Sequence, residues 1–89
     1  MKHYRRHADI RLTALEGEGV VLHMGARRYF TVTETGLTIL EALKQPQSFD
    51  QLVDAITDEY DVTREKAEKS VQTFLDQCVA AAVVLEDSP

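Results

Sequence analysis

Residues 28–43, RYFTVTETGLTILEAL, contain the point at which the hydrophobic pattern changes from that of a strand to that of a helix. Residues 28–32 are rich in aromatic and β-branched side chains, which favour a strand. From Thr33 onward, leucines recur at helical spacing, and threonine is a residue type that caps helix N-termini. The stretch therefore predicts a strand that leads directly into a helix over residues 33–44.

Two further strands are predicted before this stretch. Residues 8–15 alternate in hydrophobicity, and residues 20–24 do so again after a glycine-rich turn at residues 16–19. A second turn at Gly25-Ala26 leads into the third strand over residues 27–32. Because both connections are short, we expect an antiparallel meander whose third strand lies at an edge.

Two further helices are predicted after the helix over residues 33–44. Ser48-Phe49-Asp50-Gln51 fits a capping box that begins a helix over residues 48–60, and Thr63 can cap a third helix over residues 64–81. This third helix has an apolar arc of about 140°, whereas covering one core face needs only about 100°. The members of the arc are Ala67, Val71, Phe74, Leu75, Cys78, Val79 and Ala82. The order βββααα predicts an α+β fold, a three-stranded antiparallel sheet followed by three helices.

Length and composition indicate one domain over residues 1–89, with its core at about residues 8–85. Eighty-nine residues are too few to build two independent cores. Cys78 is the only cysteine, so no disulfide forms within the chain, and a reducing cytoplasm is the expected location. No run of 18 apolar residues occurs, so we expect no contact with a membrane through a spanning segment.

Charge is distributed unevenly along the chain, whose net charge is −5. Residues 1–30 carry six basic and three acidic side chains, whereas residues 31–89 carry four basic and twelve acidic ones. Binding to a phosphate backbone requires a basic surface. The acidic helical part therefore disfavours nucleic acid as a partner and favours a cationic peptide.

The residue types that carry catalysis are not clustered in a recognisable pattern. His3 and His7 are four residues apart, but no carboxylate or thiol completes a metal-ligand set, so we expect both to be exposed. His23 is expected in solvent, on the opposite strand face from Leu22. Cys78 lies in the apolar arc without a neighbouring base, which favours a core or groove-lining role. The sequence predicts a protein that is not an enzyme and needs no metal or cofactor.

A peptide-binding groove is predicted from two features taken together. The strand over residues 28–32 lacks proline or an obvious bulge, and an exposed edge of this kind pairs readily with another chain. The broad apolar arc would lie beside it. An added strand could then use the edge for backbone hydrogen bonds and the helix for side-chain pockets. Taken singly, most of these residues fit an ordinary core better.

The same residues resemble the PqqD-like family, also called RiPP recognition elements. RYFTVTETG at residues 28–36, followed by ILEAL at 39–43, is similar to the family's aromatic–x–Leu–Asn–Glu–Thr–Gly strand and Ile–Trp–x–x–Leu helix. FDQLV at 49–53 and YDV at 60–62 are similar to a later family segment that ends in an acidic turn. The resemblance covers about residues 8–85.

This chain departs from the family pattern at two positions, and otherwise inherits its expectations. Thr33 stands in place of Asn, which a hydroxyl can replace as a cap, and Leu40 stands in place of Trp. The resemblance implies a winged-helix-like domain that binds the leader of a ribosomally synthesised precursor peptide as a strand beside the third strand and third helix. It implies a stand-alone partner in lasso-peptide biosynthesis that presents the leader to a separate cysteine protease. The alternative is a PqqD-type peptide chaperone for a radical-SAM enzyme.

The expected site combines the third strand with the third helix. Phe30 and Val32 should face the helices, while the strand backbone offers hydrogen bonds. Apolar leader residues would enter pockets on the helix, and acidic or polar groups at the rim would meet leader lysines. The predicted leader-binding residues are Arg28, Tyr29, Phe30, Thr31, Val32, Glu68, Val71, Gln72, Leu75, Asp76, Cys78 and Val79.

Two other classes of function remain open. A winged-helix DNA-binding protein would use a recognition helix beginning at Thr63, but acidic residues interrupt its basic ones. A structural subunit would pair its edge strand with a second copy of the chain and form a homodimer. Binding to duplex DNA would identify the first alternative, and a dimer that ignores leader peptides would identify the second.

Overall fold

The computed structural model describes residues 2–87, which form two three-stranded antiparallel sheets and three helices. The strands are β1 (His3–Arg6), β2 (Ile10–Leu15), β3 (Glu18–His23), β4 (Arg28–Thr33), β5 (Gln47–Ser48) and β6 (Val84–Asp87). The helices are α1 (Glu34–Ala42), α2 (Phe49–Glu59) and α3 (Arg64–Ala80). None of these helices is long and apolar enough to cross a lipid bilayer.

The first sheet is the predicted meander, with strand order β2-β3-β4. Val21 in the central strand pairs with Leu12 on one side and with Phe30 on the other. Strand β4 therefore lies at an edge, as the sequence predicts. Thr33 ends β4 and also caps α1, because its hydroxyl accepts the Gly36 N–H at 3.3 Å. The change of hydrophobic period at Thr33 is thus a true boundary between strand and helix.

The second sheet corrects the predicted element order. It has the order β5-β1-β6 and pairs His3 with both Ser48 and Asp87, so it joins the two ends of the described chain. The observed order is ββββαβααβ rather than βββααα, and the fold extends beyond the expected core of residues 8–85. Strands of four and two residues are too short to show a recognisable alternation.

Polar caps begin the second and third helices as predicted. The Ser48 hydroxyl accepts the Gln51 N–H at 3.2 Å, and the Gln51 side-chain carbonyl accepts the Ser48 N–H at 2.8 Å. At α3, the Thr63 hydroxyl accepts the Lys66 N–H at 3.2 Å. These bonds satisfy N–H groups that a helix start otherwise leaves unpaired, and they fix where each helix begins.

The core lies among the three helices, the inner face of the β2-β3-β4 sheet and the second sheet, which contributes Tyr4 and Val84. Each helix contributes fully buried side chains, for example Leu40 of α1, Leu52 of α2 and Val71 of α3, and β3 contributes Val21. Burying such aliphatic side chains supplies about 1.5–3 kcal/mol each relative to exposure. The helices are thereby held against the sheet that β4 borders.

The histidines do not lie where the sequence pattern suggests. His23 is 5% exposed rather than solvated; its Nδ1 accepts the Ala26 N–H at 3.1 Å, and its ring centroid is 4.6 Å from that of His7. His3 and His7 are half-buried rather than exposed. Because β3 carries apolar residues on both faces, its alternation does not reveal which face is buried.

Candidate functional site

A groove runs between the edge strand β4 and helix α3. Part of it is a cavity of about 280 Å³, here called the apolar cavity. Val21 and Leu40 belong to the core and form part of its lining. The remaining lining residues are Phe30, Thr31, Val32, Thr33, Phe74, Gln77, Cys78, Ala81 and Val83. This cavity contains no charged lining residue among those described and offers mainly hydrocarbon surface.

A second cavity continues the groove towards the start of α3. It measures about 440 Å³ and shares Thr33, Phe74 and Gln77 with the apolar cavity. Its other lining residues are Thr35, Gly36, Ile39, Lys69, Ser70 and Thr73. Hydrocarbon still forms most of its surface, but we call it the polar cavity because, unlike the apolar cavity, it is bordered by one ammonium group in addition to hydroxyl groups. The two cavities together follow α3 over about 18 Å, at 1.5 Å per residue.

Strand β4 presents alternate side chains to the groove. Phe30 and Val32 pack against the core cluster and line the apolar cavity, as the alternation predicts. Tyr29, in contrast, is 73% exposed on the other sheet face. Within residues 2–87, β4 pairs with β3 alone. The outward-facing backbone groups, those of every second residue of β4, are therefore available to a further strand.

Two predicted pocket residues on α3 belong to the core instead. Val71 and Leu75 are 0% and 1% exposed, and neither lines either cavity. Cys78 is the member of the predicted helix set that lines the apolar cavity, and it is 7% exposed. The apolar arc of α3 is centred on the core, so only one of its margins reaches the groove.

The expected rim residues lie on the flank of α3 that faces away from the groove. Glu68, Gln72, Asp76 and Val79 line neither cavity. At about 100° per residue, Gln72 and Asp76 lie about 160° around the helix from Phe74. The pKa of Lys2 is raised chiefly by the hydrogen bond that its ammonium group donates to Glu86, and more weakly by the charge of Asp76, so Asp76 lies towards the second sheet. Leader binding by these four residues therefore stays a prediction from the sequence, outside the two cavities.

Phe74 and Gln77 border both cavities, yet they are absent from the predicted set. Gly36 could have indicated that another element packs closely against α1 at this point, because a glycine inside a helical pattern often marks such an approach. A Cβ placed on Gly36 would lie 2.7 Å from Cε1 of Phe74. Nothing in the local pattern distinguishes Gln77, which is an exposed polar residue of an amphipathic helix.

The side chains around the groove favour non-covalent binding. Burial raises the pKa of the Cys78 thiol to about 12, so at neutral pH the group is protonated and presents a weakly polar surface. No group of three His, Cys, Asp or Glu within residues 2–87 is arranged to hold a metal ion. The groove offers an apolar cavity, an adjoining polar cavity and a row of backbone hydrogen-bonding groups.

Solved structures of other proteins share this architecture. The structure is similar to one described as "TbiB1 in Complex with the TbiA(beta) Leader Peptide", with a TM-score of 0.80, 25% identity, and coverage of 90% of this chain and 93% of that one. "Lasso peptide synthetase B1 complexed with the leader peptide" has the same fold, with a TM-score of 0.76, 21% identity, and coverage of 92% and 96%. No curated protein gives a significant sequence match.

The family assignment comes from a sequence model that matches most of the chain. The model is that of PqqD, described as "Coenzyme PQQ synthesis protein D (PqqD)", and it matches residues 18–84. This match includes β4, the whole of α3 and therefore both sides of the groove. The chain belongs to the PqqD family.

Proposed function

We propose that this chain binds the leader segment of a ribosomally synthesised precursor peptide and presents it to a separate processing enzyme. The leader would add to β4 as an antiparallel strand and lie against α3. The observation that carries this proposal is the apolar cavity directly beside an edge strand. Both similar structures are described as complexes with a leader peptide. The chain, as a single domain over residues 1–89, would act in the cytoplasm as a non-catalytic partner.

Affinity and selectivity would have different sources in this site. Backbone hydrogen bonds to residues 28–32 would contribute about 0.5–1.5 kcal/mol each and are nearly independent of the peptide sequence. An apolar side chain buried in the cavity would contribute about 1.5–3 kcal/mol and is selective. We therefore assign recognition to Phe30, Val32 and Cys78 from the sequence-based set, and add Phe74 and Gln77.

Two kinds of processing enzyme fit the proposal. One similar structure is described as a lasso peptide synthetase, which supports a cysteine-protease-like leader protease as the partner of this chain. The family description refers to coenzyme PQQ synthesis, which supports the alternative of a peptide chaperone for a radical-SAM enzyme. We propose the leader protease of lasso-peptide biosynthesis first, because the similarity to a lasso peptide synthetase in complex with a leader peptide is more specific than the match to the family model. Both enzymes would receive the peptide from the same groove.

The charges at the start of α3 disfavour the DNA-binding alternative. Arg64 lies 2.8 Å from a carboxylate oxygen of Asp54, 3.6 Å from one of Asp50 and 3.9 Å from one of Glu68. These acids offset the positive charge that a recognition helix would present to phosphates. A guanidinium already shared among three carboxylates is poorly suited to contact DNA.

Two exposed glutamines on α3 provide a matched test. Gln77 borders the groove, whereas Gln72 lies on the opposite flank. Synthetic peptides that cover the short open reading frames beside the gene are titrated by calorimetry into the wild type, Gln77→Trp and Gln72→Trp. We expect one peptide to bind, with its Kd raised about 10-fold or more by Gln77→Trp, or about 1.4 kcal/mol, and changed less than about 2-fold by Gln72→Trp.

Circular dichroism shows whether both variants are folded. An equal loss in the two variants, or a loss in Gln72→Trp alone, would place the site elsewhere. The remaining alternative is a homodimer, which light scattering detects from the molecular mass. A dimer that binds none of the peptides would favour pairing of β4 with a second copy of the chain.

A further inference from the structure

The groove contains one charged side chain that forms no ion pair within the part of the chain that the structure describes. Of the described residues that line its two cavities, Lys69 alone is charged. Lys69 is exposed, and within residues 2–87 its ammonium group forms no ion pair. Acidic residues outnumber basic ones twelve to four in residues 31–89, and Arg64 on the same helix is paired. A cation left unpaired in an acidic half of the chain is available to a ligand.

Hydroxyl groups line the polar cavity together with Lys69, and both kinds of group can donate hydrogen bonds to a ligand. Thr35, Ser70 and Thr73 line this cavity together with Thr33. The Thr33 oxygen already accepts the Gly36 N–H, so its own O–H is free to donate elsewhere. An ammonium group and several hydroxyl hydrogens together favour an acceptor that carries negative charge, which is a carboxylate in a peptide. A lysine of the peptide would be repelled at this point.

The directions of β4 and α3 fix the order in which a peptide meets the two cavities. The chain passes the apolar cavity at Phe30 of β4 before it reaches the polar cavity at Thr35, at the start of α1. Along α3 it passes the polar cavity at Lys69 before the apolar cavity at Cys78. An added strand antiparallel to β4 therefore runs in the direction of α3. Its N-terminal part meets the polar cavity first.

The distance between the cavities sets the spacing of the two peptide residues. The lining residues on α3 and on its C-cap, Ala81, differ between the two cavities by about five positions on average, which is about 7 Å along the helix. Two residues of a strand span about 6.6–6.8 Å and place their side chains on the same face. The two cavities therefore match peptide positions i and i+2.

We propose that the groove selects peptides with an acidic residue two positions before a large apolar residue, and that Lys69 is the residue that recognises the acid. The inference rests on the proposed function, because it assigns the register of a peptide bound in the same groove. It also reverses the expectation of a cationic leader, because the acidic residues on which that expectation depended line neither cavity.

A display library tests the register directly and does not require the sequence of the leader. The probe is a library of peptides with seven consecutive random positions between polar flanks, selected on the full chain. We expect enrichment of Asp or Glu two residues before Leu, Ile, Met or Phe. Apolar enrichment without the acid, or with the acid after the apolar residue, would overturn the inference and leave the proposed function intact. Failure to enrich any peptide would contradict both.

Charge reversal then tests Lys69 itself. For the strongest selected peptide, Lys69→Glu should raise the Kd about 5- to 20-fold, since the attraction between the ammonium group and the peptide carboxylate becomes a repulsion. A variant of this peptide in which Lys replaces the acidic residue should bind the Lys69→Glu protein more tightly than it binds the wild-type protein. Lys44→Glu, which changes the net charge equally at a residue outside both cavities, is the control and should change both Kd values less than about 2-fold. Equal effects of the two variants, or no effect of Lys69→Glu, would overturn the role of Lys69.

Discussion

Phe74 of α3 packs directly against Gly36 of α1. A Cβ placed on Gly36 would lie 2.7 Å from Cε1 and 3.1 Å from Cζ of the Phe74 ring. Because Phe74 lines both cavities, this contact fixes the ring that divides the apolar cavity from the polar one. A position without a side chain in α1 thus helps to determine the shape of the groove.

Gly36→Ala is expected to lower both stability and peptide affinity. Alanine favours a helix over glycine by about 1 kcal/mol, but overpacking costs about 1–3 kcal/mol, and the Val32 Cβ at 3.2 Å prevents an easy shift. We expect a net loss of up to about 2 kcal/mol in urea denaturation and a higher Kd for the leader. Adding Phe74→Leu should recover stability by making room. A Gly36→Ala protein with wild-type stability and affinity would show that the contact is not limiting.

Leu75→Asp is expected to prevent folding rather than to weaken binding alone. Leu75 is 1% exposed in the core, and an uncompensated charge there costs several kcal/mol, which is comparable to the whole stability of a small domain. Val79→Asp is the control, because Val79 is 38% exposed on the flank away from the groove. Circular dichroism should show an unfolded Leu75→Asp and a folded Val79→Asp that binds the leader normally. A folded Leu75→Asp would contradict this description of the core.

Ser48→Ala should destabilise the domain without changing peptide affinity. The substitution removes one of the two capping-box bonds at the start of α2, which costs about 1 kcal/mol. Ser48 is outside both cavities, so the Kd should be unchanged. Gln51→Ala keeps the serine cap and should cost less. Urea denaturation measures both losses, and a larger effect of Gln51→Ala would mean that the serine hydroxyl is not the main cap.

Cys78 should make stability fall at high pH. Burial raises its pKa from 9.0 to about 12. Between these values the unfolded chain has released the thiol proton while the folded chain retains it, so stability decreases as pH rises, by up to about 1.4 kcal/mol per pH unit from this group. Cys78→Ala should have a flatter dependence above pH 9, while any decline due to the buried Tyr4 phenol remains. Parallel pH profiles for the two proteins would show that the thiol does not contribute.

The local elements could be predicted from the sequence because each is marked by nearby residues. The change of period at Thr33, the capping box at Ser48 and the cap at Thr63 depend only on side chains within a few positions. The second sheet could not be predicted, because it joins His3 to Asp87 across almost the whole chain through short strands. Pairing at such a separation leaves little local signal.

Only part of the groove could be predicted from the sequence, and the reason is geometric. The periodicity of α3 gives the width of its apolar arc but not the direction from which β4 approaches. The flank with Gln72 and Asp76 and the flank with Phe74 and Gln77 border the same arc, and the sequence-based set contains the first flank. Tertiary packing alone decides between them. Strand alternation, which has only two outcomes, correctly placed Phe30 and Val32 against the helices.

Hydrogen exchange of the backbone amides tests strand addition to β4 most directly. The sheet contains its own control, because β2 is the opposite edge of the order β2-β3-β4 and borders no part of the apolar cavity. With a bound leader, outward-facing amides within residues 28–33 should exchange at least about 10-fold more slowly, while exchange at the β2 edge stays unchanged. Slower exchange at β2 with no change at β4 would contradict the account.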